Sequence, residues 1–428
     1  MIQWMQREKL RKDEANMRKT VSLKKQHEIM DNTLYDRIHH LLPKLMEETG
    51  YDMWIIPCRE YNEDPIFKTM LPAGAQSARR QSCLVFVNDE QGYGAYNFGR
   101  AGGMSRFYIQ GYTDNSKDQF EELAKFVRAR NPKKIGINSS KVWGICDGLA
   151  KDQYDKLYQA LDPQDREKLC SSYPLAIRWV ETRTQEELSR YRSIYELAMN
   201  ICEEAFSRKV IIPGVTTTTE VEDWIAQEIN NLGLGFWFSP DVDIQRPGMP
   251  GVGSCGDVIQ HGDLLHYDVG IQYFGLCSDS QRMGYVLREG ETEVPEYLQE
   301  GFRKTSRFQD IVCEEHIAGR TGNEILHTCL ERGKAKGLNP MLYCHPIGYF
   351  GHSAGTVVGL WDHQEGIGEF GDFPLHYNTC YALELNTESV VHEWGDQVVR
   401  FSAEETVAFT EDGKLSYFYP GRDRIYAI

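Results

Sequence analysis

The sequence has no C-x-x-C pair, although it carries eleven cysteines, at positions 58, 83, 146, 170, 202, 255, 277, 313, 329, 344 and 380. An odd number of thiols cannot be fully paired within one chain, so a reducing compartment is expected, with the cytoplasm as the default location. No stretch of about 18 apolar residues occurs, so no membrane span is expected. The N-terminal stretch MIQWMQREKLRKDEANMRK lacks the continuous apolar segment of a signal peptide. It reads instead as a charge-rich amphipathic helix on its own domain. A basic excess is missing too: 47 Lys and Arg stand against 63 Asp and Glu, a formal net charge of −16. That balance works against binding a phosphate backbone, so neither nucleic acid nor membrane is an expected partner. Internal repeats and low-complexity segments are also lacking.

What is present is the composition of a folded protein, 41% hydrophobic and 26% charged with both signs interspersed. A length of 428 residues suggests two or three domains. Leu34, Ile38, Leu41, Leu42 and Leu45 keep helical spacing over 33–48, and strands follow at 51–57 and 83–87, a helix at 119–130 and a strand at 134–138. This alternation predicts an α/β domain ending near Ser171, with the boundary between 172 and 183 and domains of 1–175 and 176–428. Thr184 to Glu187 and Thr219 to Glu222 both have the form of a capping box, and helices are expected over 295–318 and 321–336. The remainder is rich in strands and holds every candidate for chemistry.

HYDVGIQYFGLCSDSQR, residues 266 to 282, places Asp268 and Asp279 eleven positions apart between two strand-like segments. A tight hairpin centred on Tyr273 and Phe274 puts the two carboxylates directly opposite each other, where like charges repel. Solvated carboxylates on a surface hairpin are the simpler account, but the apolar neighbours Tyr267, Val269 and Ile271 favour a compensating divalent cation. Further donors lie downstream. HPIGYFGH supplies His345 and His352, with Gly348 allowing close backbone approach. Glu384 shares a strand face with Ala382 and Asn386. Glu404 and Glu405 sit together in another strand, and periodicity alone does not say which points inward.

These motifs, in this order, resemble the pita-bread metallopeptidases of the aminopeptidase P, prolidase and creatinase branch, relatives of methionine aminopeptidase. DVGIQYFGLCSD resembles that family's Asp-x-Gly…Gly-Tyr-x-Ser-Asp, HPIGYFGH its His-Gly-Ile-Gly-x-x-x-His, and EETVAFTEDG its Glu-Asp-Thr-Val-x-Val-Thr-x-x-Gly. The resemblance spans roughly 176 to 415. It implies an α/β N-terminal domain of the creatinase type and an α+β pita-bread catalytic domain. By the same resemblance Asp268, Asp279, His345, Glu384 and Glu404 hold two divalent metal ions, Asp279 and Glu404 bridging them. Four carboxylates and one imidazole suit Mn²⁺, with Co²⁺, Fe²⁺ or Zn²⁺ as alternatives. Glu384 is the implied proton shuttle, and His352 the residue that contacts the substrate carbonyl. The implied reaction is hydrolysis of short peptides beside proline through a metal-bridged water, by a homodimer or larger homo-oligomer.

The pattern departs from the family where substrates are selected. Met341 stands in place of a histidine four residues before His345, and Ser402 in place of an arginine two before Glu404, with Arg400 nearby. Gln245 and Arg246 occur where an upstream histidine is usual. Ser280-Gln281-Arg282-Met283 replaces the usual run ending Thr-Arg-Thr. Further candidates are His363, for the pocket lining or for a cap or the surface, His261 and His266 ahead of the first aspartate, and Phe350 and Trp361, as apolar walls for a proline ring or, the commoner fate of aromatics, core packing. These departures keep open a pita-bread enzyme of another reaction class, a creatinase-like C–N hydrolase or metal-dependent lyase. A non-catalytic binding module also stays open.

Overall fold

The computed structural model describes residues 20–75, 77–100, 102–114, 116–253 and 256–428. The helix expected over the first nineteen residues lies outside them. The chain divides between Thr184 and Gln185, later than the expected step from 175 to 176. The helix Tyr173–Glu181 belongs with the N-terminal unit, because its Arg178 bonds Glu48 at 2.8 Å and Glu181 at 2.6 Å.

In the N-terminal unit, β1 (Met53–Arg59), β2 (Gln81–Asp89), β3 (Gly92–Asn97), β4 (Ile109–Gln110), β5 (Ile135–Ile137) and β6 (Leu169–Ser171) form one mixed sheet in the order β4-β3-β2-β1-β5-β6. The helix Gln119–Arg130 starts at the predicted residue, where Asp118 accepts from the amides of Phe120 and Glu121. The expected helix over 33–48 is part of a longer one beginning at Leu23 and passing through a π turn at Arg37–Leu41. That turn lies just before Pro43, which has no amide proton to continue the regular ladder.

The C-terminal unit is built on a curled sheet that is antiparallel apart from its last strand. Its strands are β8 (Asp241–Arg246), β9 (Met249–Gly253), β10 (Leu264–Asp268), β13 (Gln281–Tyr285), β14 (Asn339–Pro346), β15 (Thr379–Val391), β16 (Gln397–Phe409), β17 (Leu415–Tyr417) and β18 (Tyr426–Ala427). The order is β14-β15-β16-β13-β10-β8-β9. A small second sheet joins β7 (Gly235–Phe236), β11 (Ile271–Tyr273) and β12 (Leu276–Cys277). The helices Gln185–Ala205 and Thr218–Asn231 share one core with β8, β10 and β11, and the helices Glu296–Glu315 and Gly322–Ala335 share another with β14 and β15. The expected capping box at Thr219 lies two residues earlier, at Thr217 and Glu220. Four successive threonines make the cap ambiguous in sequence, and Thr217 is the one in extended conformation whose hydroxyl reaches the Glu220 amide.

The hairpin register also differs from expectation. Its two-residue loop is Phe274-Gly275, both with positive φ, 54° and 74°, so Tyr273 pairs with Leu276. Gly275 sets that loop, because a tight hairpin of this hand needs left-handed backbone at both central positions. Asp268 therefore opposes Gln281 and not Asp279.

Candidate metal centre and its pocket

Strand pairing draws residues far apart in sequence into one cross-strand row. Asp268 faces Gln281, Gln281 faces Glu404, Glu404 faces Glu384, and Glu384 faces Tyr343. Directly opposed residues share a sheet face, so Glu404 is the inward member of the Glu404-Glu405 pair. His345 lies two residues past Tyr343 on β14, opposite the small Ala382. Asp279 sits just ahead of β13. Its amide donates to Thr406 Oγ1 at 2.9 Å, and the same hydroxyl donates to its carbonyl at 2.8 Å.

The ligating atoms of Asp279, His345 and Glu404 lie within 4.8 Å of one another, and all three residues are buried. His345 Nε2 is 3.7 Å from Asp279 Oδ2. His345 Nε2, both Glu404 carboxylate oxygens and Asp268 Oδ1 are buried without a hydrogen-bond partner. Such atoms are costly unless something pairs with them. Burial first, and then the charge of a neighbouring carboxylate, Asp279 for both Asp268 and Glu404, and Glu384 for Asp279, pushes the Asp268, Asp279 and Glu404 carboxyls well above the usual carboxylate range. Burial raises Glu384 to about 7, while burial and the neighbouring His352 push His345 down to about 3. A neutral imidazole facing crowded carboxylates is a donor set for a hard or borderline divalent cation, which satisfies the unpartnered atoms and relieves the repulsion together. The residues present fit such an ion.

The surroundings hold this arrangement in place. The Trp237 indole meets His345 and His352 edge to face, with centroids 6.5 and 5.0 Å away, and its Nε1 donates to the Ser278 carbonyl at 2.9 Å. A β-carbon at Gly270 would stand 2.0 Å from this ring, and one at Gly351 2.1 Å. Both motif glycines therefore make way for the indole. His352 is exposed, its ring 4.7 Å from that of His345. Gly348 permits close approach through its carbonyl, which accepts from Cys277 N at 2.7 Å. On the opposite sheet face Glu405 forms a buried ion pair with Arg282 at 2.9 Å and accepts from the Tyr195 hydroxyl at 2.8 Å.

Asp268 and Glu384, both half-buried, border a cavity of about 400 Å³. Met341, Ser402, Gln245, Arg400, Trp361 and His266 line it. Arg400 keeps an unbulged register with Glu388 across β15 and β16. His261 is exposed and bonded to the Leu287 carbonyl, and His363 is an exposed partner of Asp362. Neither lines the cavity, nor does Phe350. His266 is the residue that sequence reasoning undervalued. Burial draws it down, but Asp243, Asp268 and Gln281 raise it on balance. Its position two residues before Asp268 on one strand face was the available signal.

The model of metallopeptidase family M24 matches residues 190–411, more than half of the chain. The chain belongs to metallopeptidase family M24. The M24 chain superposes on an X-Pro aminopeptidase from Thermotoga maritima MSB8 with a TM-score of 0.64 at 17% identity, covering 90% of this chain and 100% of that one. An Xaa-Pro dipeptidase from Bacillus anthracis gives 0.63 at 17% identity, covering 92% and 100%. The N-terminal domain of the FACT complex subunit SPT16 from chickpea also matches, at 0.59 and 11% identity, covering 92% and 99%. Likeness at these identities establishes the expected fold, an α/β domain followed by a pita-bread domain. No curated protein matches in sequence.

Proposed function

We propose that this M24 protein is a metal-dependent peptidase of the Xaa-Pro aminopeptidase or dipeptidase kind, acting on short peptides. The observation that carries this reading is the buried set Asp279, His345 and Glu404, whose ligating atoms lie within 4.8 Å of one another, with those of His345 and Glu404 unpartnered. By the family resemblance these three would hold divalent metal, with Glu384 completing the set around His345, Asp268 contributing to a second ion, and Mn²⁺ the best match to the donor set. When bound, such an ion activates water and polarises a peptide carbonyl. Glu384 faces the cavity with its carboxyl raised to about 7, which suits a group that takes a proton and passes it to the leaving amine. His352, exposed beside His345, would by the family resemblance contact the substrate carbonyl. Met341, Ser402 and Trp361 would receive the peptide, and without the family's histidine and arginine they define its specificity. By the same family reading the N-terminal unit is a creatinase-type domain and the enzyme is a homodimer or larger, and the odd count of eleven cysteines supports a cytoplasmic location.

The test is metal analysis of the purified protein alongside a panel of dipeptides and Xaa-Pro tripeptides. Metal-dependent cleavage is the expected result. A bound ion with no cleavage of any peptide would favour a lyase or another C–N hydrolase, and absence of both would favour a binding module. The likeness to the SPT16 domain is the observation that keeps the last reading in the experiment.

A further inference from the structure

Three arginines of the N-terminal unit, Arg79, Arg80 and Arg100, line a cavity of about 720 Å³ together with Asp31 and Glu60. All three arginines are exposed, and among the described residues none of their guanidiniums has an ion-pair partner. Their backbone is unusual as well. Arg79 and Arg80 have positive φ, 47° and 78°, as does Tyr61 beside Glu60, at 67°. The other described non-glycine residues with positive φ are Asn131, Asn378, Asp396 and Phe274. Asparagine and aspartate adopt left-handed backbone readily and Phe274 serves a tight hairpin, whereas tyrosine and arginine rarely take it up. Strained backbone collects at ligand sites, where the surrounding structure is arranged to hold it. Here the Arg80 carbonyl accepts from the Glu60 amide at 3.0 Å. Gly102 leaves room for Arg79, whose Nη1 lies 3.0 Å from the position a β-carbon would take there.

We propose that this cavity binds a phosphate monoester of a hydroxylated molecule, a sugar phosphate or a mononucleotide, at a site that shares no residue with the metal centre. A guanidinium is a planar fork that pairs with two acceptor oxygens. A carboxylate has only two oxygens and is filled by one or two such forks. A phosphate monoester has three terminal oxygens and a charge of about −1.5 to −2, which matches three arginines. The cavity is larger than a bare ion requires and falls in the range of organic-ligand pockets, about 300–1,000 Å³. Its carboxylates supply the complementary half. Asp31 Oδ1 accepts from the Ala73 amide at 2.8 Å and Glu60 Oε1 from the Ser77 hydroxyl at 3.4 Å, which leaves each a second oxygen for a ligand hydroxyl. A chain with a net charge of −16 repels anions at long range, so three unpaired guanidiniums around one cavity are a local exception that an anion would neutralise.

The test is calorimetric titration of the full chain with ribose 5-phosphate, adenosine monophosphate, inorganic phosphate and a dipeptide. At least one ester is expected to bind at one equivalent per chain, more tightly than inorganic phosphate, and a preference between the two identifies the organic part. Arg79→Ala, Arg80→Ala and Arg100→Ala should each weaken that ester about 10- to 150-fold, the scale of a hydrogen bond to a charged group. Arg80→Lys keeps the charge but loses the fork, and should weaken it too. Asp31→Asn retains the oxygen that accepts from Ala73 and should weaken the ester relative to inorganic phosphate. Asp279→Asn should bind the ester as the wild type does, which separates this site from phosphate held by a metal ion. Loss of binding in Asp279→Asn would place the phosphate on the metal centre and overturn the proposal. Arginine variants that circular dichroism shows folded and that bind as the wild type does would overturn it as well. Inorganic phosphate binding as tightly as the esters would show an adventitious ion only. No binding of either ester, or tighter arginine-dependent binding of the dipeptide, would also sink it.

Discussion

At the scale of the residue, the two histidines of HPIGYFGH make opposite claims. His345 is buried with an unpartnered Nε2 aimed at Asp279, whereas His352 is exposed at the edge of the cluster. His345→Ala should therefore lose bound metal, and His352→Ala should keep it while lowering kcat, as removal of a contact made only in the transition state does. Metal content and steady-state kinetics on the same preparations distinguish them, and exchanged phenotypes would reverse the two roles. Glu384→Gln keeps the shape and one oxygen but cannot take a proton. Partial metal retention with a rate loss of about 10²- to 10⁴-fold is expected. Near-normal turnover with metal bound would pass the proton to another group.

Elements decide which of these side chains meet, and here sequence legibility was uneven. The donor residues were readable because they are carboxylates and an imidazole set among apolar, strand-like segments. Their partnerships were not, because one residue of hairpin register moves every opposition. Gly275 held the information for the loop, yet a centre drawn midway between the two aspartates made Asp279 the partner of Asp268 where the strands pair Gln281 with it. Glu405 shows the same limit. Its neighbour faces the cluster, while Glu405 itself is 1% exposed against Arg282 and Tyr195, so its part is structural. Breaking a buried pair by removing one partner costs about 3–5 kcal/mol. Glu405→Gln retains a hydrogen-bonding oxygen, so a loss near the low end of that range is expected in urea unfolding. A change within about 0.5 kcal/mol, the usual scale of an inconsequential surface substitution, would deny the pair its structural part. Gly270→Ala should also destabilise, by about 1–3 kcal/mol, because its methyl must displace the indole of Trp237.

Over the whole molecule, the α/β unit was legible because its helices and strands alternate within short spans and each carries its own period. The C-terminal fold was legible through its motifs more than through its strands. Its sheet joins residues more than a hundred positions apart, as Gln281 and Glu404 do, and no local pattern encodes such a pairing. The consequence of gathering those carboxylates is a stability that depends on pH and metal together. In the metal-free fold Asp268, Asp279, Glu384 and Glu404 all have raised carboxyls, so the folded chain binds more protons than the unfolded one once pH exceeds the ordinary carboxylate range near 4. Their contribution is complete below that range and is lost as pH rises, through about 7 for Glu384. A divalent cation takes over the neutralising role as the protons leave, and its stabilising increment grows with pH because binding releases them. At a free metal concentration 100 times the dissociation constant that increment is about 2.7 kcal/mol. Thermal unfolding of chelated protein should therefore show a lower Tm at pH 7.5 than at pH 5.5, and added Mn²⁺ should raise Tm more at pH 7.5. The net charge of −16 also opposes the fold as pH rises, so Asp279→Asn serves to separate the two effects. It removes one buried charge, and it should flatten the decline of the chelated protein and abolish most of the metal increment. An increment equal at both pH values, or one that survives Asp279→Asn unchanged, would show that the ion binds away from this cluster.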